Sequence, residues 1–442
     1  MPRLFGTDGV RGVANQELTP DLALALGRAA GRVLSAPGRD VIVGRDTRIS
    51  GPMLEAALVA GVCSAGVNAC LAGILPSPAV SFLTTDEHAD AGGMISASHN
   101  PVADNGIKFF SAEGLKLTSD LEDAIEERMH DPETAPPVSA SEVGTSYALA
   151  DGAERYEKHL LSALDVSLEG LEIVLDCAYG AAWDIGPRVF RDAGATVIAL
   201  HDAPDGSRIN VDCGSTSMGV VARTVREQGA DMGLAVDGDA DRVLAVDERG
   251  EVVDGDRILA ITALHLAARG ELDGNLIVSS VMSNAGMTRA LSERGIEVVQ
   301  APVGDKYVVE MMLDRGAVLG GEQSGHVIFG RHGKTGDGLL TGLQLAGAVV
   351  SSGGLHDLAH VYEPFPQVLI NVPVQSRQAL EGADEVWEET ADIESGFAGE
   401  GRVLLRASGT EPVVRVMVEA PKESDARAAA ERLAESVRRH LG

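Results

Sequence analysis

One arrangement recurs three times in this chain and narrows what it can fold into. A short apolar run leads into a helix-like segment, then a glycine, then a second apolar run. The first copy begins at Val41-Ile42-Val43, passes through a helix from Met53 to Ala65, and returns after Gly66 as Val67 to Leu71. The second begins at Ile173-Val174-Leu175, passes through Trp183 to Ala193, and returns after Gly194 as Val197 to Leu200. The third begins at Leu276-Ile277-Val278, passes through Ala285 to Arg294, and returns after Gly295 as Ile296 to Val299. A glycine directly behind a helix supplies the left-handed residue that ends it. Strands alternating with helices in this way predict α/β layering with parallel pairing.

Each copy continues as strand, polar loop, strand. The loops are SASHNP (Ser96 to Pro101), DGDADR (Asp237 to Arg242) and GEQSGH (Gly321 to His326). The polar loop falls at the same place each time. Three similar domains that each donate one loop therefore explain the pattern better than chance likeness among generic βαβ units. In open α/β sheets, ligands bind beyond the carboxyl ends of the strands, where such loops lie. The tail differs. Gln367 to Val374 alternates like a strand, Ser376 to Ser395 reads as an acidic helix, Gly401 to Leu405 and Val413 to Glu419 read as strands, and Ser424 to Leu441 as an amphipathic helix. The predicted fold class is α/β, with three similar βαβ-type domains carrying mixed sheets plus a smaller C-terminal α+β domain. Linkers fall at 131–152, 249–256 and 352–366, where Pro, Gly and Ser cluster. The expected domains are 1–152, 153–253, 254–364 and 365–442.

Composition excludes several functions. A net charge of −30, from 66 acidic and 36 basic residues, argues against nucleic acid or an anionic membrane as the main partner. Most of these acids read as a solvated surface. Cys63, Cys70, Cys177 and Cys213 are scattered without metal-ligand spacing, which fits a reducing compartment. The first residues, MPRLFGTDGVRG, have no apolar signal core, and no run reaches membrane-spanning length. A cytoplasmic location is expected.

The chemistry resides in the loops. Asp237, Asp239 and Asp241 occupy alternate positions of a tight turn between apolar runs. Three carboxylates there are costly unless a cation neutralises them. An all-oxygen set favours Mg²⁺, Mn²⁺ or Ca²⁺ over zinc. An EF-hand fails, because Arg242 stands where its sixth-position glycine is required. Ser98 is the candidate nucleophile. His99 is adjacent and either activates it or orients the loop. Gly321 to His326 offers donors and acceptors flanked by glycines, suited to sugar hydroxyls or to an ordinary polar hairpin. Arg406-Ala-Ser-Gly-Thr-Glu-Pro412, with Arg415 beyond, has the composition of a phosphate cradle. Arg11, Lys108, Arg242 and Lys306 also lie in or beside glycine-rich motifs.

Four separated motifs, SASHNP, DGDADR, GEQSGH and RASGTEP, occur in the order found in the α-D-phosphohexomutases, and the chain resembles that family over essentially its whole length. The resemblance implies four domains around a central cleft, each contributing one motif. Phe5 to Gly12, Gly106 to Phe110, Val211 to Thr216, Val303 to Tyr307, Gly320 to His326 and Thr335 to Gly338 are similar to the branch acting on glucosamine phosphates. A glucose or mannose phosphate is the alternative substrate.

Residue by residue, the resemblance implies that Ser98 becomes a phosphoserine. Asp237, Asp239 and Asp241, with that phosphoserine, would hold one Mg²⁺. Glu322 and Ser324 would contact sugar hydroxyls. Arg406, Ser408, Gly409, Thr410 and Arg415 would hold the phosphate that is not transferred. Arg11, Lys108 and Arg242 would stabilise the phosphate in transfer, Lys306 would contact substrate, and Lys108, His99 or His326 would shuttle protons. It further implies a sugar bisphosphate activator, a homodimer, and a terminal domain that moves about 352–366. An aspartyl-phosphate enzyme using Asp237 and a non-catalytic phosphosugar sensor are the readings from other classes.

Overall fold

The computed structural model describes residues 3–6, 8–130, 138–397, 400–408 and 412–442. The described chain forms two compact units, residues 1–282 with 296–361, and residues 283–295 with 362–442.

The larger unit holds three mixed sheets. The first is built from β1 (Val10–Val13), α1 (Pro20–Leu34), β2 (Asp40–Arg45), α2 (Gly51–Ser64), β3 (Asn68–Ile74), α3 (Ser77–Asp86), β4 (Ala91–Ile95), β5 (Asp104–Ser111), α4 (Ser119–His130) and β6 (Ser146–Ala148). Its strand order is β1-β5-β4-β2-β3-β6. The second takes α5 (Gly152–Ser162), β7 (Glu172–Asp176), α6 (Ile185–Asp192), β8 (Thr196–Leu200), α7 (Gly219–Gln228), β9 (Met232–Val236), β10 (Val243–Asp247) and β11 (Val252–Val253), ordered β11-β10-β9-β7-β8. The third has strand order β13-β12-β14-β15, from β12 (Leu276–Ser280), β13 (Glu297–Ala301), β14 (Leu319–Gly321) and β15 (Val327–Phe329). Helix α8 (Gly255–Ala268) precedes β12, and α9 (Ala285–Ser292) follows it in sequence and belongs to the smaller unit. Helix α10 (Asp305–Arg315) follows β13, and α11 (Gly338–Ser352) and α12 (Leu355–Ala359) follow β15.

The three repeats share one physical plan. Strands β4, β9 and β12 are buried at every position, as expected of central strands covered on both faces. Gly66, Gly194 and Gly295 all have positive φ (85°, 105° and 77°), which is why glycine recurs behind each helix. Each polar loop joins an antiparallel pair, β4–β5, β9–β10 or β14–β15, so all three emerge at strand ends.

The smaller unit packs one face of an antiparallel sheet, β16 (Gln367–Pro373), β18 (Val413–Glu419) and β17 (Arg402–Ala407), under α13 (Asp384–Gly396) and α14 (Glu423–Leu441). β16 alternates exposed and buried residues, as a sheet with one covered face should.

Two expectations differ from what is observed. The acidic helix expected over Ser376 to Ser395 is a 3₁₀ segment, Arg377–Gly382, followed by α13. Ala383 leaves helical geometry at φ −90°, ψ 68°, and the Trp387 indole captures the Leu380 carbonyl at 2.8 Å, which fixes the break. The linker segments also carry structure. Ser146–Ala148 pairs parallel with β3, Val252–Val253 pairs with β10, and Leu355–Ala359 is helical. These pieces are too short to register as periodic patterns. Among the described residues no helix is long and apolar enough to cross a membrane.

Candidate active site

Ser98 sits in the loop that leaves β4. It is buried and left-handed, with φ 52°, a conformation a serine holds only when its surroundings impose it. The restraint comes from Arg48, a residue that the sequence reading missed. Wholly buried, Arg48 donates to the carbonyls of Ser98 (3.0 Å), Asn100 (2.8 Å), Pro101 (2.6 Å) and Asp104 (2.8 Å). Asp46 balances it at 3.0 Å and accepts from Ser96 Oγ at 2.6 Å. Burial pushes the Asp46 carboxyl up, with Arg48 opposing. From the second sheet's side, Asn210 Nδ2 donates to the Ser98 carbonyl at 2.9 Å, and Thr47 Oγ1 donates to the Tyr179 carbonyl at 2.6 Å.

The aspartate loop closes on this serine. Ser98 Oγ donates to Asp237 Oδ2 at 2.5 Å and lies 3.2 Å from His99 Nδ1. Gly238 permits the approach, because a Cβ there would stand 2.6 Å from the Ser98 carbonyl oxygen. Asp237, Asp239 and Asp241 are buried, and one carboxylate oxygen from each lies within 4.8 Å of the others. Lys108 Nζ reaches Asp239 at 2.7 Å and Asp241 at 3.4 Å, and Ser77 Oγ donates to Asp239 at 2.5 Å. Even so, the second oxygens of Asp239 and Asp241 are buried without a hydrogen-bond partner. An all-carboxylate pocket with orphaned oxygens fits a hard divalent cation.

Charges around the cluster are polarised. Burial, then Asp241 and Asp239, hold the Asp237 carboxyl well above the carboxylate range. Asp241 goes the other way. Burial works against its charge, but Lys108, His326 and Arg242 together hold it well below that range. Lys108 is likewise opposed by burial, and Asp239 and Asp241 keep it protonated. Burial, then Arg242 and Arg11, lower the His99 imidazole, so it stays neutral near pH 7. Burial disfavours the charged form of His326, but Asp241 and Asp305 outweigh it and raise its pKa. The cluster thus combines a serine hydroxyl, a neutral imidazole, fixed cations and a carboxylate set suited to a hard cation. Such a set can pass a phosphoryl group on and off the serine.

The other expected residues fall around it. Arg11 donates to Asn100 at 3.3 Å and pairs with Asp8 at 3.4 Å. Arg242 Nε is 3.8 Å from Asp241. The GEQSGH hairpin docks on the aspartate loop through Val243 N–H to the Gly325 carbonyl at 3.1 Å. Glu322 Oε1 accepts from Gly304 N–H at 3.0 Å, and Ser324 Oγ is buried without a hydrogen-bond partner. Lys306 turns to Ser119 Oγ at 3.1 Å rather than to the aspartates. A second cation also escaped the sequence reading. Lys116 is held between Asp8 at 2.7 Å and Asp305 at 2.5 Å, and Asp305 lies 3.3 Å from His326. A lone lysine between two leucines gives no sequence signal of such a role. Arg48 had one: it stands in the charged run Arg45-Asp46-Thr47-Arg48, directly behind an apolar strand.

In the smaller unit, Arg406 and Arg415 face each other across the β17–β18 ladder. Like charges directly opposite in an antiparallel pair repel. Burial, then Arg415, depress the Arg406 guanidinium. An anion at this pair would relieve both. Ser408 is buried at the end of β17, and its N–H donates to the Val413 carbonyl at 2.9 Å. Gly409 and Thr410 lie outside the described residues.

Comparison with known proteins agrees with this architecture. Phosphoglucomutase/phosphomannomutase α/β/α domain I matches residues 2–135, domain II 154–250, domain III 254–367, and the C-terminal domain 369–436. A phosphoglucosamine mutase of Parafrankia sp. (strain EAN1pec) is 52% identical over 469 residues, covering 100% of both chains. Another, from Desulforamulus reducens, is 49% identical over 441 residues, covering 99% of each. A solved phosphoglucomutase/phosphomannomutase family protein from Burkholderia thailandensis superposes with TM-score 0.85 at 25% identity, over 99% of this chain and 97% of that one. The fold of Aspergillus fumigatus N-acetylphosphoglucosamine mutase, solved with GlcNAc-6P and magnesium, matches with TM-score 0.70 at 18% identity, over 99% and 96%. Fold and relatives together define an enzyme of the mutase class, built as a four-domain α/β protein. The chain belongs to the phosphoglucomutase/phosphomannomutase family.

Proposed function

We propose that the chain interconverts glucosamine 6-phosphate and glucosamine 1-phosphate through a phosphoserine at Ser98. The observation that carries this reading is the 2.5 Å contact of Ser98 Oγ with a buried three-aspartate cluster. Relatives about half identical over their full length, named phosphoglucosamine mutases, support the amino sugar.

In this reading the phosphate on Ser98 passes to the sugar O1. The P–Oγ bond breaks as the P–O1 bond forms, and the O1 proton passes by way of neutral His99, whose Nδ1 lies 3.2 Å from Ser98 Oγ, to the departing Oγ. The bisphosphorylated sugar then presents its other end. The P–O6 bond breaks, Ser98 is rephosphorylated, and O6 takes back a proton. Asp237, Asp239 and Asp241, with the phosphoserine, would hold Mg²⁺, which would supply Lewis-acid stabilisation of the transferring phosphate. Lys108, Arg11 and Arg242 bear on that phosphate as fixed cations, an electrostatic contribution that needs no rearrangement during the reaction. Lys306, Glu322, Ser324 and His326 are assigned to the sugar. Arg406, Ser408, Gly409, Thr410 and Arg415 are assigned to the phosphate that is not transferred. A sugar bisphosphate serves as activator by rephosphorylating Ser98.

Side-by-side turnover of glucosamine, glucose and mannose 6-phosphates tests the substrate. The glucosamine ester should give the highest kcat/KM. A higher value for glucose or mannose would replace the amino-sugar reading with that of a phosphoglucomutase or phosphomannomutase.

A further inference from the structure

A second group of metal-ligand residues lies at the other end of β10 from the aspartate loop, about 13 Å along the strand. There the β10–β11 hairpin meets α12. One ligand atom each from Glu251, His356 and His360 lies within 4.8 Å of the other two. His356 and His360 are one helical turn apart, and their rings approach to 4.3 Å at 50°. We propose that Glu251, His356 and His360 form a binding site for a transition-metal ion of the zinc class.

Both imidazoles are held through Nδ1. His356 Nδ1 donates to Asp247 Oδ2 at 2.7 Å, and His360 Nδ1 donates to the His356 carbonyl at 2.7 Å. With Nδ1 so engaged, Nε2 is the nitrogen of each ring left to meet an ion. A histidine whose other nitrogen donates to a carboxylate or carbonyl is the usual form of a metal ligand, because that bond sets ring orientation and raises basicity.

The support is built before any ion arrives. Asp247 is almost fully buried, and its other oxygen accepts from Arg249 N–H at 3.0 Å and Glu251 N–H at 2.8 Å. One carboxylate thus positions the turn that carries Glu251 and the ring of His356. Glu248 holds the start of α12 by accepting from His356 N–H at 3.0 Å. Two imidazoles with one carboxylate, open to solvent, suit zinc, nickel or copper. The all-carboxylate set at Asp237 to Asp241 prefers a hard ion, so the two sites differ in selectivity. A bound ion would cross-link α12 to the hairpin just before the chain leaves the larger unit at Val361.

The test uses the full chain saturated with Mg²⁺, so that the aspartate cluster is filled. Zinc titration by calorimetry should give one further equivalent per chain, which His360→Ala loses and Glu251→Gln weakens at least about tenfold. Both side chains are solvent-facing, so these variants should fold, and mutase turnover in Mg²⁺ alone should be unchanged. With Cu²⁺ as probe, electron paramagnetic resonance should show imidazole nitrogen couplings that His360→Ala reduces. Zinc stoichiometry unaffected by His360→Ala, or bound Cu²⁺ without imidazole nitrogen, would overturn the site.

Discussion

The serine–aspartate cluster of the larger unit and the arginine pair of the smaller one solve opposite electrostatic problems. Around Ser98 the charges are buried and already opposed, Lys108 by two aspartates and Arg48 by Asp46. Arg406 and Arg415 are half-buried and set side by side with like sign. The first arrangement fixes atoms in place before substrate arrives. The second sets two like charges opposite each other on neighbouring strands. A site that makes and breaks bonds needs positions held in advance, whereas a site that only grips a phosphate can gain its order on binding.

The contrast can be broken in five places. Ser98→Ala should lower turnover by on the order of 10⁴-fold while the melting temperature holds. Wild-type turnover by this variant would remove the serine from the chemistry. Arg48→Met leaves Asp46 buried without its partner and should cost about 3–5 kcal/mol in urea unfolding, with lower kcat because the Ser98 loop loses four hydrogen bonds. A neutral result would mean that the loop is held by other means. Asp239→Asn should reduce kcat about 10²-fold and shift the Mg²⁺ concentration for half activity upward. Full activity in the presence of a chelator would refute the cation assignment.

The fourth test concerns pH. Burial raises the Asp337 carboxyl to about 6 from 3.8. The folded state therefore binds a proton more readily than the unfolded chain between those values, so this residue's contribution to stability falls as pH rises from about 4 to about 6. Asp337→Asn, which can still cap α11 at Leu340 and face the Tyr156 hydroxyl, should remove a pH-dependent loss of about 2–3 kcal/mol. Unfolding curves of both proteins across this range would show it, and parallel curves would exclude it. The smallest effect belongs to the arginine pair. Arg415→Ala should raise KM about tenfold with kcat nearly kept, and added salt should narrow the gap. A loss confined to kcat would mean that the arginines act on the transition state.

Much of this was legible in the chain. The three glycines behind the repeat helices required positive φ, and they have it. The alternate aspartates suggested one shared site, and one oxygen from each lies within 4.8 Å of the others. The acidic tail helix was misread as continuous, because the break at Ala383 depends on a Trp387 contact that periodicity does not record. The Lys306 amine lies 3.1 Å from Ser119 Oγ, a partner far away in sequence that no local pattern announces.

The sequence alone determined the periodic and the chemical: which runs become strands, where helices end, and which loops carry serine, carboxylates and arginines. Those follow from local backbone preference and from side-chain type. Only the tertiary structure decided that Arg48 would be wholly buried beneath the serine loop, that Lys116 would sit between Asp8 and Asp305, and that Glu251 would meet His356 of α12 and His360 just beyond it. Each of these pairs residues distant along the chain. Their energies come from burial and charge proximity, which exist only once the sheets have packed.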